Sequence, residues 1–211
     1  MSATISSSSV GNSGGQVSSM ACVLPAGLSV GQKLILAASA PIPNVPAAPP
    51  GWSLVISLLG GCPTWIYERV VDGSEGPTVD LALLRSNNGG AYACYAIDGW
   101  DTGAGIEHGV HQQVGGTVSP NPPPVTPSWG AVDTLFIPVF GWRWGNNGPS
   151  VLTAYPAGYS DSPITDFCND PRGAGIAMCS HSHNLGEDNP GAATLSVVAG
   201  TTCITLAIKS A

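Results

Sequence analysis

Two histidine pairs are the first residues of this chain whose types and spacing could do chemistry. His181-Ser182-His183 closes an apolar run, GIAMCSHSH. Residues two apart on a strand share a face, so both imidazoles would point the same way. Glu187 and Asp188 follow closely, and His108 and His111 form the second pair. Imidazole and carboxylate together are the donor set of zinc and nickel sites. The plainer reading makes His181 and His183 polar strand residues near a sheet edge, and it leaves the chain with no metal and no cofactor.

Aromatic residues give a second chemistry. Trp142, Arg143, Trp144, Tyr155 and Tyr159 lie in or beside Gly-rich turns. Rings on loops can stack on sugars or anchor an interface, and Arg143 can add a cation–π contact. The alternative is that the alternation in W-R-W turns both rings toward an interior. Trp52, Trp65, Trp100 and Trp129 read as core fillers, as do Tyr67, Cys94 and Cys203 in their apolar runs.

Hydrolytic chemistry has less to stand on. Asp98, Asp101, Asp133, Asp161, Asp166 and Asp170 are scattered along the chain. A glycosidase needs two carboxyls converging at about 5–9.5 Å, which sequence alone does not show. No GxSxG element is present. The Asp166–Asp170 stretch has Ca²⁺-type ligands, though Asn and Asp there also suit turns. The expectation is a protein without enzymatic activity.

Six cysteines stand at 22, 62, 94, 168, 179 and 203, with no CxxC spacing. That disfavours a structural zinc site. In a cytosolic product they are expected as thiols. Cys168 and Cys179 flank a Pro-Arg-Gly loop and could close a disulfide on later oxidation.

These groups have to be held by strands. The chain has 28 Gly and 19 Pro in 211 residues, 43% hydrophobic and only 9% charged. About 25% charged is usual. Enough apolar residue is present for a sizeable core, and the turn residues are those of many short strands. The expected fold is all-β: a jelly-roll-like sandwich of about eight strands in two related halves. No amphipathic helix pattern of useful length appears. Net charge is −7 with six Lys and Arg, so a nucleic-acid partner or an anionic membrane surface is not expected. No stretch reaches the roughly 20 apolar residues of a membrane helix. The first residues lack the basic and apolar regions of a signal peptide, so synthesis in a cytosol is expected. A weakly charged surface of Ser, Thr, Asn, Gly and Ala suits a protein packed in an assembly.

Residues 1–19 read as a Ser/Gly-rich arm or first edge strand, and 20–211 as one sandwich domain. Its first half is 20–101. QKLILAASA (32–40) is a continuous apolar run, the mark of a strand buried on both faces. A Pro-rich loop follows, then Pro50-Gly51-Trp52 and a hairpin with Leu54–Ile56 and Trp65–Tyr67 as its arms, broken by Gly-Gly-Cys-Pro. PTVDLALL, an Asn87–Gly90 turn signal and AYACYAI complete that half. Residues 102–130 read as a crossing connection. The second half, 131–211, echoes the first. AVDTLFIPVF answers the QKLILAASA strand, and Tyr155-Pro-Ala-Gly-Tyr159 answers Pro-Gly-Trp. GIAMCSHSH answers TWIYERV, Glu187-Asp188 answers Ser74-Glu75, ATLSVV answers PTVDLAL and TTCITLAIK answers AYACYAIDG.

The order "PAGLSVGQKLIL", "PPGWSLV", "WIYERVVDGSEGPTVDL", "AYACYAIDGWD" resembles a recurrent β-sandwich module of tailed-bacteriophage virion proteins. The matching positions are Pro25, Ala26, Gly27, Gly31, Pro50, Gly51, Trp52, Tyr67, Gly73 to Glu75 and Gly99. Gln32 stands where that module has an acid, and Glu68-Arg69 where it has Lys. The match is strong over 20–101 and weak beyond. It implies a structural protein of the virion, carried as head decoration, head fibre or tail appendage, with a capsid decoration or cement protein the favoured expectation, and it supplies no catalytic residue. The partners implied are phage capsid or tail proteins and further copies of the chain, a trimer being favoured. The alternatives are a tail or head-fibre module that binds a host surface glycan or receptor, and a polysaccharide depolymerase.

Overall fold

The continuous apolar runs fold as central strands covered on both faces, as their lack of alternation requires. The computed structural model describes residues 1–42, 44–83, 88–143, 148–159 and 161–211, with backbone alone along 110–115. Among the described residues there are fourteen strands and no helix. The first half carries β1 (Thr4–Asn12), β2 (Ser19–Val23), β3 (Lys33–Ser39), β4 (Ser53–Leu58), β5 (Thr64–Val70), β6 (Thr78–Ala82) and β7 (Ala91–Asp98). The second carries β8 (Glu107–Thr117), β9 (Thr134–Arg143), β10 (Leu152–Ala154), β11 (Asp161–Phe167), β12 (Ala174–His183), β13 (Thr194–Leu195) and β14 (Ala199–Lys209).

Two five-stranded antiparallel sheets face each other, ordered β1-β7-β3-β5-β4 and β8-β14-β9-β12-β11. The two orders are the same motif written twice. Even the irregularity recurs: β4 carries a register shift between Leu54 and Ile56, and β11 one between Asp161 and Ile164. Ile56 and Ile164, just after the shifts, both pack against the core between the sheets. That core holds Ile35, Ile66, Tyr95 and Ile97 from the first sheet against Ile137, Met178, Ile204 and Leu206 from the second. Each such side chain contributes about 1.5–3 kcal/mol on burial.

The outer faces are covered as well. The β2–β6 ribbon closes Leu34, Leu36, Trp65, Tyr67 and Cys94 beneath Met20, Cys22 and Leu81. The β10–β13 ribbon helps to close Phe136, Phe140, Trp142 and Cys203 on the other side. Four layers result, and this is why β3, β7, β9 and β14 read as apolar runs without period.

Several sequence expectations change here. The strand count exceeds eight because polar strands such as β1, β8 and β11 carry no clear hydrophobic alternation. Each large sheet is completed by one half of the chain, a winding different from a jelly roll's exchange of strands between sheets. The stretch 102–130 is not connection throughout. It contains β8, whose sequence EHGVHQQVGGT gives no strand pattern because the strand lies at the edge beyond β14. Of the two readings of the Ser-rich start, the edge strand holds and the free arm does not: β1 pairs with β7 over eight register positions at the sheet edge, and Ala3 is fully buried. Of the Asn87–Gly90 turn signal, Asn87 lies outside the described residues. Asn88 bridges Val17.

The two ends of the chain meet. The Met1 ammonium donates to the Ala211 carbonyl at 2.6 Å, and Ala3 N–H to Ser210 Oγ at 2.8 Å. Along the β1–β11 side the halves are stitched by Asn12 Nδ2 to Asp166 Oδ1 (3.0 Å) and Gln16 Nε2 to Asp170 Oδ1 (3.0 Å). Between the sheets runs a buried polar seam. Ser39 Oγ lies 2.9 Å from Cys62 Sγ, and Thr64 Oγ1 and Thr202 Oγ1 both donate to the Cys62 carbonyl, at 3.1 and 2.6 Å. Thr202 belongs to the second half, so this seam fixes how the sheets sit on each other.

Candidate functional site

The aromatic set divides between interior and surface. Trp142 is 1% exposed, at the end of β9, and its Nε1 donates to the Ser150 carbonyl at 2.7 Å. Tyr159 is also buried. Both belong to the core under the β10–β13 ribbon, and Trp142 also reaches the lining of a groove beside β11. The W-R-W alternation explains this: Trp142 turns inward and Arg143 is exposed. Tyr155 is half-buried against the same core. Trp144 lies outside the described residues. Trp52, Trp65, Tyr67, Cys94 and Cys203 are all buried.

Tyr159 is placed by a turn that the first half also uses. In Pro49-Pro50-Gly51-Trp52 the Trp52 N–H donates to the Pro49 carbonyl at 3.0 Å, with Gly51 at φ +80°. In Pro156-Ala157-Gly158-Tyr159 the Tyr159 N–H donates to the Pro156 carbonyl at 3.1 Å, with Gly158 at φ +85°. A type II turn needs positive φ at its third residue, which glycine supplies without strain. Each turn drives one aromatic ring into the outer core of its own half.

Around Tyr159 the structure assembles a compact polar cluster. Asp188 accepts from the Tyr159 hydroxyl through one carboxylate oxygen and lies 3.0 Å from His183 Nε2 through the other. His183 stacks on Phe136 with ring centroids 4.5 Å apart, and His181 lies 5.2 Å from His183. Asp188 is fixed by a two-way backbone bridge to Val125. Burial, and then the bond to Asp188, push the Tyr159 hydroxyl up, so it stays neutral. A His–Asp pair of this kind can serve a nucleophile. Here Nε2 faces Asp188, while Nδ1 is buried with no partner among the described residues. No nucleophile is presented to that nitrogen. Cys179 shares the strand face with both histidines, but burial pushes its thiol well up and keeps it protonated.

The cluster has a counterpart in the first half. Where the chain leaves β5, Arg69 Nε pairs with Glu75 at 2.8 Å, and Arg69 Nη2 with Asp72 at 3.1 Å and Ser74 Oγ at 2.7 Å. Glu75 also accepts from the N–H groups of Asp72 and Gly73. Where the chain leaves β12, the equivalent strand, His183 and Asp188 make the same closure. Both sets latch a return loop onto the outer core. Asp188→Ala would leave Tyr159 and His183 without their acceptor, so a loss of about 3 kcal/mol in urea unfolding is expected, with Asp188→Asn milder.

The first-half latch carries a pH signature. Burial pushes Glu75 up, but the backbone donors and Arg69 outweigh it and hold the carboxyl below its ordinary value. The hydroxyl and N–H of Ser74, then Arg69, hold Asp72 down at about 2. Groups depressed in the fold stabilise it above their unfolded values of about 3.9–4.3 and lose that contribution as pH falls through the folded values. Melting temperature is therefore expected to drop between about pH 4 and pH 2, and Glu75→Gln should flatten that part of the profile.

Metal and disulfide readings fail on topology. β8 and β12 are separated by β14 and β9, so the backbone positions of His108 and His111 lie at least about 14 Å from those of the His181–His183 pair at ordinary strand spacing. No group of three or more His, Cys, Asp or Glu within metal range occurs among the described residues. Asp166 and Asp170, read as Ca²⁺-type ligands, instead accept from Asn12 and Gln16. Asp98 accepts from Gln32, and Asp101 is bound by Lys209 at 2.9 Å. The β11–β12 register puts Phe167 opposite Gly175, and Cys168 N–H donates to the Ala174 carbonyl. Cys179 is therefore five residues away along β12, about 17 Å, and a disulfide needs Cα atoms within about 7 Å. All six cysteines are free and buried. Burial pushes Cys62 and Cys203 up to about 12.

Sequence reading missed one feature of the surface. A groove of about 430 Å³ opens beside the end of β11, lined by Val151, Leu152, Thr165, Asp166, Phe167 and Asn169. Its signals in the sequence were Trp142 of the aromatic set, which lines it, and the Asp166–Asp170 cluster, whereas β11 was not recognisable as a strand. Compared with known proteins, the chain matches no family model, no curated protein and no solved structure.

Proposed function

We propose that this chain is a non-enzymatic structural protein of a bacteriophage virion, a decoration or cement protein that coats and stabilises the head as a symmetric oligomer, with a trimer favoured. The observation that carries the reading is how the chain uses its few charges. Lys33 is tied to Glu68 at 2.5 Å and lies over the Trp100 ring, Arg69 is in the β5 latch, and Lys209 holds Asp101. Half of the six cations are thus bound internally. Exposed apolar side chains stand at loops, with Val30 74%, Leu185 57% and Leu59 48% exposed. A sparsely charged surface with apolar points suits lattice contacts, where many weak interactions add through avidity. The PPGW and GSE elements that resemble the phage module are used here as a turn and a latch, which fits a scaffold role.

Purified protein is expected to form an oligomer in sedimentation and to rebind particles stripped of it. A monomer with no affinity for stripped particles contradicts the proposal. The second reading, a tail or head-fibre module contacting a host surface, draws its support from the groove beside β11.

A further inference from the structure

We infer that the groove beside β11 is a binding site for one ring of a neutral sugar. The inference stands apart from the virion proposal, since a sugar site suits a protein in any setting. The groove's volume, about 430 Å³, lies in the range of small-ligand sites, roughly 300–1,000 Å³. Its lining is two-faced. Pro149, Val151, Leu152 and Phe167 supply apolar surface, and Thr165, Asp166 and Asn169 supply polar groups. A pyranose has the same division, with C–H groups on its ring faces and hydroxyls around its rim.

The polar side is preorganised. Asp166 Oδ1 accepts from Asn12 Nδ2 at 3.0 Å and from the Phe167 N–H at 2.7 Å. Those two bonds fix the carboxylate through Oδ1, and among the described residues Oδ2 is left as an acceptor for a ligand hydroxyl. A fixed charged acceptor gives a stronger hydrogen bond than a neutral one. Asn169 is exposed at the rim and offers both donor and acceptor. The floor is rigid, because Trp142 lies beneath it with Nε1 bound to Ser150. No cation is among the groove's described lining residues, and Asp166 is an anion, so phosphates and acidic sugars are disfavoured.

The test uses the full chain and saturation-transfer NMR with methyl glycosides of glucose, galactose, mannose and N-acetylglucosamine. Choline and acetate are the charged controls. Transfer to ring protons of at least one neutral glycoside is expected. Val151→Trp, a substitution at an exposed rim position, should abolish it while the melting temperature stays unchanged. Asp166→Ala should weaken binding about tenfold or more. Since Asp166 also holds Asn12, the Val151 variant keeps the test decisive if the Asp166 variant is unstable. Absence of transfer from all four glycosides overturns the inference. So does binding that survives Val151→Trp, or binding of choline or acetate in place of the sugars.

Discussion

Replacing Trp142 with alanine is expected to cost about 3–5 kcal/mol of folding stability. The indole is 1% exposed among Phe140, Ala177 and Cys203, and its N–H is satisfied by Ser150. Truncation would open a cavity under the β10–β13 ribbon and leave the Ser150 carbonyl without its donor. Urea unfolding monitored by tryptophan fluorescence and far-ultraviolet circular dichroism measures the loss. Trp142→Phe keeps most of the volume and gives up the hydrogen bond, so about 1–2 kcal/mol is expected for it. If Trp142 were a surface binding residue, neither change would move the unfolding midpoint.

Gly141→Ala is the second large effect, at about 3 kcal/mol, the upper end of the usual range for overpacking. A Cβ on Gly141 would overlap Thr64 Oγ1 and come within 3.2 Å of Ser39 Oγ. Both belong to the first half, while Gly141 is on the central strand of the second. The clash would therefore push the two sheets apart at the seam, where Thr202 also reaches Cys62. Thr64→Ala removes the overlapping oxygen. The double variant is expected to be more stable than the sum of the single effects, a coupling that a double-mutant cycle reads directly. Strict additivity would show that the seam does not join the halves as described.

Much of the sandwich was legible because its central strands are apolar on both faces. LILAA and LFIPVF hold the same place in their sheets, and AYACYAI and TTCITLAI flank them in the same way. LFIPVF was readable as a strand despite Pro138, which normally argues against a central position. There the register pairs Thr205 with Pro138 on β14, while the β12 ladder is interrupted between Met178 and His181. The edge strands of the second sheet were not legible. β8 and β11 are rich in Gln, Gly, Ser and Asp, and their few apolar residues, such as Ile164 and Phe167 on β11, are too sparse to write an alternation.

The candidate site was half legible. His181, His183 and Asp188 were visible as a cluster, and the fold does bring His183 to Asp188. What sequence did not show was Tyr159, which arrives through a turn more than twenty residues upstream. Nor did it show that Arg69 and Glu75 make the matching closure in the other half, which makes a set that reads as metal donors the second of two latches. Aromatic residues in Gly-rich sequence looked exposed for a related reason. Glycine at Gly141 and Gly175 permits close packing here. A Cβ at Gly175 would collide with the Trp142 indole, so its absence is what lets the ring lie flat on β12.

The proposed place of this sandwich in a virion can be read most directly from an electron-microscopy map of the intact particle. The predicted result is symmetry-related density on the head surface into which the two stacked five-stranded sheets fit, at one copy of the chain per asymmetric position. Particles whose maps and protein composition lack the chain altogether would contradict the account.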